Sequence, residues 1–312
     1  MQYPRVSVLI ATWNRREDVL EAVESVHDQA YPYYEVIVVD NASNDGTVEA
    51  LRTAFPEIKL VILDRNLGAS GGRNRGVAVA EGDIVFLLDS DASLGHDTLN
   101  HIVNKFRAEP EVGVITCKIL NAQTKTLDPN TWIFTEKSKI DLDSEFLSFS
   151  FCECGAAIRK EIFDRVGMFW ELLFFGREGE DLSLLVLDAG YKILYSPKAI
   201  VYHRASPQKR ITGCERLYLD LRNTLYIYLA RYPWWMFAWF SPLKIATSVL
   251  KSARRGCMRQ TLRALQEVAR QMPNLLDQRT PIKKETARFY LKLQREHGSL
   301  AWDLASWLKH KI

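Results

Sequence analysis

The chain has 312 residues, of which 47% are hydrophobic and 25% are charged, and this globular composition excludes a disordered, collagen-like or small disulfide-stapled protein. Its net charge of +3 hides an asymmetry, because residues 1–203 carry a net charge of −11 and residues 204–312 carry +14. Opposed charges of this size indicate two surfaces with different partners, the basic one suited to phosphates, lipid head groups or nucleic acid.

The cysteines and the N-terminus both indicate a reducing, cytoplasmic setting. The five cysteines are irregularly spaced and form no CxxC pair, so we expect free thiols rather than a zinc or redox site. The N-terminal apolar run is only about seven residues long and lacks the basic lead-in and cleavage site of a secretion signal. We therefore expect the protein to stay in the cytoplasm.

The first part of the chain alternates short apolar strands with helical patterns. Strands are predicted at Val6–Thr12, Glu35–Val39, Lys59–Leu63, Ile84–Leu88 and Val112–Cys117, and helices at Arg16–His27, Thr47–Phe55, Gly72–Ala80 and Asp97–Arg107. All-apolar strands that alternate with helices predict a doubly wound, mostly parallel α/β sheet with helices on both faces. Residues 121–150 are polar and irregular, which predicts a surface excursion. From Phe151 the pattern resumes with further strands and helices, up to a strand-like run at Ala199–Tyr202.

Polar side chains follow three of the predicted strands, at the point where each strand ends. They are Thr12 and Asn14, then Asp40 and Asn41, then Asp89 and Asp91. In open α/β sheets, ligands bind in the crevice outside the carboxyl ends of the strands. Turn or cap residues would explain any one of these clusters, but they explain all three less well. We therefore expect a ligand site at this edge of the sheet.

The triplet Asp89-Ser90-Asp91 indicates a divalent cation. Two carboxylates this close repel each other, and burial beside a strand strengthens the repulsion that a cation would relieve. Oxygen ligands favour Mg²⁺ or Mn²⁺ over zinc, and Mg²⁺ is usually shared between one or two carboxylates and substrate phosphates. The pattern therefore points to a nucleotide diphosphate as the ligand.

Three other features of the sequence each allow two interpretations. The glycine-rich residues 66–76 match neither GxGxxG nor the P-loop, and they form either a phosphate-binding helix start or a tight loop without a ligand. Glu178, Glu180 and Asp181 crowd the start of a helix, as caps or as a base in a cleft. His203 follows the last strand-like run, as a metal ligand or as an ordinary core or surface residue.

Seven segments, in this order along about residues 5–205, resemble glycosyltransferase family 2: VSVLIATWNR, VVDNASNDGT, NLGASGGRNRG, FLLDSDA, CGAAIRKEIFDRVGMF, EGEDLSLLVLDAGY and YSPKAIVYH. The resemblance implies a GT-A fold, a nucleotide-sugar donor, a divalent cation (Mg²⁺ or Mn²⁺) and inversion at the anomeric carbon. The family often has a second Asp and an Arg on the helix of the sixth segment, where this chain has Ser183 and Leu187. This departure concerns the acceptor side rather than the reaction class.

The resemblance also implies a role for each candidate residue. The donor would contact Ala11, Thr12, Trp13, Asp40, Asn66, Gly68, Asn74, Asp89, Ser90 and Asp91. Within this set, Asp40 would accept the N3–H of uracil or thymine. Asp91 and His203 would hold the metal, with Asp89 as a further candidate ligand. Asp181, beside Glu180, would be the general base that deprotonates the acceptor hydroxyl.

The resemblance divides the chain into a catalytic domain, residues 1–205, and a helical, basic and Trp-rich region, residues 206–312. The apolar stretch Leu225–Leu250 is interrupted by charges and prolines and is too short to cross a bilayer. Its tryptophans and the arginines that follow favour a helix lying on an anionic membrane surface. Packing on the catalytic domain or in a homodimer is the alternative. Nucleic-acid binding is disfavoured because no recognition fold accompanies the charge.

Together these observations predict an α/β protein of GT-A type with a C-terminal helical appendage. We expect an inverting glycosyltransferase, peripheral on the inner face of the cell membrane, that transfers a sugar from a UDP- or dTDP-sugar to a lipid-linked or cell-surface glycan. A non-catalytic scaffold protein is one alternative, which the missing Asp at Ser183 keeps open. A sugar-1-phosphate nucleotidyltransferase is another, although its Gly-rich basic loop after the first strand is here replaced by ATWNRRE.

Overall fold

A nine-stranded mixed sheet forms the centre of the protein. The computed structural model describes residues 3–131, 133–134, 140–206, 211 and 213–297. The strands are β1 (Val6–Thr12), β2 (Tyr34–Asp40), β3 (Lys59–Ile62), β4 (Ile84–Asp89), β5 (Ala92–Leu94), β6 (Val112–Asn121), β7 (Phe146–Leu147), β8 (Gly155–Arg159) and β9 (Lys192–His203). Their spatial order is β3-β2-β1-β4-β8-β6-β9-β5, and β7 pairs with β9.

The N-terminal half of the sheet is parallel, as the apolar strand pattern predicts. Strands β3, β2, β1 and β4 run in the same direction, and Thr12 lies opposite Asp40 while Ala11 lies opposite Asp89. The other half departs from the parallel pattern, because β8 inserts antiparallel between β4 and β6. The register of the parallel half brings the polar ends of β1, β2 and β4 to one edge.

Ten α-helices occur in the described part of the chain, besides a short 3₁₀-helix at Glu171–Leu173. They are α1 (Arg16–His27), α2 (Thr47–Ala54), α3 (Gly68–Val79), α4 (Thr98–Ala108), α5 (Lys160–Val166), α6 (Glu178–Asp188), α7 (Gly213–Arg231), α8 (Trp234–Arg255), α9 (Met258–Asp277) and α10 (Lys284–Glu296). Helices α1 and α4 bury their apolar faces in one hydrophobic cluster, and α3, α5, α6, α7 and α10 bury theirs in another.

The glycine-rich stretch serves the packing of α3 on the sheet. A Cβ atom at Gly76 would lie 2.0 Å from Cδ1 of Leu9 on β1, so only glycine permits this close approach. A Cβ at Gly72 would lie 2.7 Å from Nδ2 of Asn41. The helix therefore runs directly against β1, and its polar side chains reach the carboxyl edge of the sheet.

The C-terminal helices pack into the same hydrophobic core as one face of the sheet. Tyr226 of α7 and Tyr290 of α10 are fully buried in the cluster that also contains Leu182 of α6. The Asn223 side chain donates hydrogen bonds to the carbonyl oxygens of Leu173 (3.0 Å) and Gly176 (2.7 Å). The predicted region 206–312 extends beyond the described residues after residue 297. Within the described helices, none combines the length and apolar character needed to cross a membrane.

The structure corrects the expectation that the cysteines are free thiols. Cys214, at the start of α7, forms a disulfide with Cys257, which lies between α8 and α9. Folding of the helical hairpin brings these Cα atoms within 5.3 Å although 43 residues separate them in sequence. Cys117, Cys152 and Cys154 are free thiols. The irregular spacing carries no sign of this pairing, because a helix–helix contact creates it.

Candidate active site

Two buried polar atoms at the ends of β1 and β2 have no hydrogen-bond partner within the described structure. Oδ2 of Asp40 accepts a hydrogen bond from the Ser43 amide (2.9 Å), whereas Oδ1 of Asp40 and Oγ1 of Thr12 have none. A buried polar group without a partner costs about 1–3 kcal/mol. Beside them, the Trp13 ring is partly exposed. This corner of the edge therefore offers a hydrogen-bond acceptor and an aromatic surface to a ligand.

The start of α3 is closed by the protein itself. Oδ1 of Asn66 accepts a hydrogen bond from the Gly68 amide (2.8 Å), and the Phe174 carbonyl accepts one from the Ala69 amide (2.8 Å). Gly68 has φ of +74°, and a Cβ there would lie 2.2 Å from the Phe174 oxygen. The predicted phosphate-binding role of this helix start is not supported, because its first amides already have partners.

Asn74 also differs from its predicted role as a nucleotide contact. Its side-chain nitrogen donates to the Phe169 carbonyl (2.8 Å), and its side-chain oxygen accepts from the Phe169 amide (3.0 Å). Both polar atoms therefore hold the loop that precedes α6. The tight-loop interpretation of residues 66–76 agrees with these contacts better than the phosphate interpretation does.

Arg73 of α3 joins two carboxylates across the cleft. It donates to Oδ1 of Asp89 (3.0 Å) and to Oε1 of Glu178 at the start of α6 (3.0 Å). Glu178 is buried, and this burial, together with the nearby charge of Glu153, raises its pKa to about 7. Burial likewise raises the pKa of Glu153, whose Oε1 accepts a hydrogen bond from the Gly179 amide. Three carboxylates thus surround a single guanidinium.

Asp91 and His203, the two predicted metal ligands, lie next to each other in a buried polar cluster. Nε2 of His203 lies 3.5 Å from Oδ1 of Asp91, and Arg15 lies 2.8 Å from Oδ2 of Asp91. Burial alone would raise the pKa of Asp91, but His203 and Arg15 hold it well below its usual range. Nδ1 of His203 is hydrogen-bonded to Oδ2 of Asp128, a fully buried carboxylate. Ser90, between the two aspartates, is buried as well.

The chemistry of this donor set fits a divalent cation. A histidine that ligates a metal usually donates its other ring N–H to a carboxylate, which fixes the tautomer, and Asp128 is placed to do this for His203. Nε2 of His203 and Oδ1 of Asp91 would then be two candidate ligands. No group of three His, Cys, Asp or Glu side chains that could hold a metal occurs in the described part of the chain. Two ligands suit an ion that is completed by substrate phosphates and water.

Asp181 occupies a position different from that expected for the general base. Its side chain is 1% exposed, and its oxygens pair with Arg231 of α7 at 2.8 Å and 3.4 Å. Arg231 also lies 5.3 Å from the centre of the Trp170 ring. Burial raises the pKa of Asp181, which favours a base, but its enclosed oxygens leave little access for an acceptor hydroxyl, and its role as general base stays a prediction. Glu180 pairs with Arg177 at 2.5 Å and likewise contacts a cation.

Sequence reasoning missed three residues of this site: Arg73, Asp128 and Glu153. Arg73 lies within the glycine-rich stretch, where attention to charge beside the glycines could have found it. Asp128 lies in the polar excursion, and its contact with His203 spans 75 residues. Glu153 precedes β8, and nothing in the local pattern reveals that this antiparallel strand lies next to β4.

The chain is similar in sequence to known glycosyltransferases. A model of glycosyl transferase family 2 matches residues 7–167. The chain is 28% identical over 217 residues to an N-acetylglucosaminyltransferase of Rhizobium meliloti (strain 1021), with coverage of 64% of this chain and 50% of that protein. It is 30% identical over 217 residues to succinoglycan biosynthesis protein ExoO of the same organism, with coverage of 64% and 61%. The chain thus spans between half and about three fifths of these relatives.

The fold is similar to the folds of solved glycosyltransferase structures. Mannosyltransferase PcManGT from Pyrobaculum calidifontis, in complex with GDP-Man and Mn²⁺, has a TM-score of 0.57 at 20% identity, over 100% of this chain and 89% of that one. S. aureus TarS 1–349 in complex with UDP has a TM-score of 0.53 at 23% identity, over 72% and 65%. The predicted GT-A fold is confirmed by these likenesses. With its family model matched over residues 7–167, the chain belongs to glycosyltransferase family 2.

Proposed function

We propose that the protein is an inverting glycosyltransferase that uses a UDP- or dTDP-sugar and transfers the sugar to a hydroxyl of a lipid-linked or cell-surface glycan. The observation that carries the proposal is the meeting of Asp40, Asp89 and the Asp91–His203 pair at one edge of the sheet. The names of the relatives, an N-acetylglucosaminyltransferase and a succinoglycan biosynthesis protein, support this substrate class.

The pyrimidine base would bind at the ends of β1 and β2. Oδ1 of Asp40 has no donor, and an ionised carboxylate accepts but cannot donate a hydrogen bond. It therefore suits the N3–H of uracil or thymine. Guanine also presents ring and amino N–H groups, so the binding experiment has to include GDP. Ala11, Thr12 and Trp13 would line the base and the ribose.

The diphosphate would bind beside Asp91 and His203, the two residues that would hold the cation. A bound Mg²⁺ or Mn²⁺ would stabilise the negative charge of the departing diphosphate. Arg15 neutralises one oxygen of Asp91 and orients the other toward His203. Arg73 holds the Asp89 carboxylate at the same edge, where it would meet the ribose or the sugar.

Asp40→Asn should weaken binding of the matching nucleotide. In calorimetric titrations with UDP, dTDP and GDP, each with and without Mn²⁺, the native protein should bind a pyrimidine diphosphate, and only with the metal. Asp40→Asn removes a charge-assisted acceptor and should weaken this binding by about tenfold or more, the equivalent of roughly 1.5–3 kcal/mol. Asp45→Asn, a nearby exposed capping residue, is the control. Equal binding of GDP, or no binding by folded protein, would contradict the proposed donor class.

Asp128→Asn should weaken metal binding without changing the residues that contact the nucleotide. A neutral amide holds the Nδ1–H of His203 less firmly than a carboxylate does, so Mn²⁺ affinity in the presence of UDP should fall by about 10–100-fold. Electron paramagnetic resonance of free Mn²⁺ measures this affinity directly. Asp143→Asn, whose side chain is exposed in the same polar stretch, should leave it unchanged. Unaltered Mn²⁺ affinity in Asp128→Asn would show that His203 is not a ligand.

The face of α8 that points to solvent supports attachment to an anionic membrane surface. Trp235 and Trp239 lie four residues apart, with Trp239 74% exposed, and Leu250 continues the exposed apolar stripe. Exposed basic residues follow at the α8–α9 turn: Lys251, Arg254, Arg255 and Arg259. Tryptophans favour the membrane–water interface, and each cation near anionic lipid contributes about 1 kcal/mol. Membrane attachment would place the enzyme beside a lipid-linked acceptor.

Replacing Trp235 and Trp239 together by Ser should release the protein from vesicles. We expect the native protein to co-sediment with phosphatidylcholine vesicles that contain phosphatidylglycerol, less so at high salt, and the double variant to bind at least about tenfold more weakly. Ile62→Ser removes an exposed apolar side chain elsewhere and is the control. Failure of the native protein to bind, or dimerisation through this face in light scattering, would contradict the membrane assignment.

A further inference from the structure

Glu153 lies at the carboxyl edge of the sheet, and none of the predicted roles includes it. The residue lies two positions before β8, which pairs antiparallel with β4 so that Gly155 lies opposite Leu88. The Asp89 amide approaches the Cys154 carbonyl at 3.5 Å. This pairing carries Glu153 to the carboxyl end of β4, where the triplet Asp89-Ser90-Asp91 begins. Its position thus follows from the antiparallel insertion of β8 between β4 and β6.

The Glu153 side chain packs against the first turn of α6. Oε1 of Glu153 accepts a hydrogen bond from the Gly179 amide, at the helix end that favours negative charge. A Cβ atom at Gly179 would lie 2.6 Å from Oε1 of Glu153 and 2.9 Å from the Phe151 carbonyl oxygen. The glycine therefore leaves the space that the carboxylate occupies. The carboxylate also accepts a hydrogen bond from the Glu153 backbone amide, and the side chain is partly exposed.

The other acidic side chains nearby are held by cations. Asp89 and Glu178 both pair with Arg73, and Glu178 is 3% exposed. Asp181 is enclosed by Arg231. Oε2 of Glu178 has no hydrogen-bond partner either, but that side chain is buried and paired with Arg73. Glu153 makes no ion pair with a Lys, Arg or His among the described residues and is partly exposed, so it is the carboxylate of this cluster best placed to accept a proton.

We propose that Glu153 is the catalytic residue that accepts the proton of the acceptor hydroxyl, an assignment that rests on the proposed transferase function. In this step the hydroxyl oxygen forms a bond to the anomeric carbon of the donor sugar. The bond from that carbon to the diphosphate oxygen breaks, and its electron pair leaves with the nucleoside diphosphate. The hydroxyl proton passes to the carboxylate of Glu153. Glu178 and Arg73 act as positioning residues that hold the surrounding charge in place.

Glu153→Gln tests the assignment because the amide keeps the size of the side chain and its bond to the Gly179 amide but is not a base. The measurement is UDP or dTDP release, with water as acceptor, from UDP-glucose, UDP-galactose, UDP-N-acetylglucosamine and dTDP-glucose. We expect the rate with the best donor to fall by about 100-fold or more, with Mn²⁺-dependent nucleotide binding unchanged. Glu145→Gln, an exposed residue that pairs with Lys105, should retain the native rate.

Two further variants separate the outcomes. Glu153→Asp retains a base at a shorter reach and should recover part of the rate, which a purely structural role would not produce. Native turnover in Glu153→Gln, or full loss in folded Asp181→Asn alone, would overturn the assignment but leave the transferase function standing. If the native protein releases nucleotide from none of these donors and binds no nucleoside diphosphate, the proposed function fails, and the assignment of Glu153 fails with it.

Discussion

Negative charge at the carboxyl edge of the sheet is the constraint on which the rest of this structure depends. Parallel strands end together there and deliver several carboxylates to a small, largely buried space. A buried carboxylate without a partner destabilises the folded protein by roughly several kcal/mol, so each one needs a cation or a set of hydrogen-bond donors. Three arginines supply the positive charge: Arg15 pairs with Asp91, Arg73 with both Asp89 and Glu178, and Arg231 with Asp181.

The same constraint explains how the basic C-terminal helices relate to the acidic body. Part of their charge is used inside the protein, since Arg231 pairs with Asp181 and Lys244 with Asp220. Asp220 also pairs with Arg177, which joins the loop before α6 to α7 and α8. Four of the cations that remain exposed lie at the α8–α9 turn, beside the apolar stripe: Lys251, Arg254, Arg255 and Arg259. One region can therefore stabilise the active-site helix and offer a surface to a partner.

The sequence predicts those parts of the site that depend on strand ends. Asp40, Asp89 and Asp91 follow apolar runs, and the alternation with helices is enough to place them at one edge. Residues whose role depends on contacts between distant segments are not predictable in this way. Glu153 reaches the edge through an antiparallel strand, Arg231 meets Asp181 through helix packing, and Asp128 contacts His203 across a polar stretch. The Cys214–Cys257 disulfide belongs to the same class of contact.

The central claim is that this edge holds a nucleoside diphosphate through a cation shared by Asp91 and His203. A crystal structure of the protein grown with Mn²⁺ and UDP, with anomalous data at the manganese edge, tests it most directly. We expect one anomalous peak within coordination distance of Oδ1 of Asp91 and Nε2 of His203, with the uracil N3–H hydrogen-bonded to Asp40. A peak away from this pair, or a bound nucleotide with no metal between it and Asp91, would contradict it.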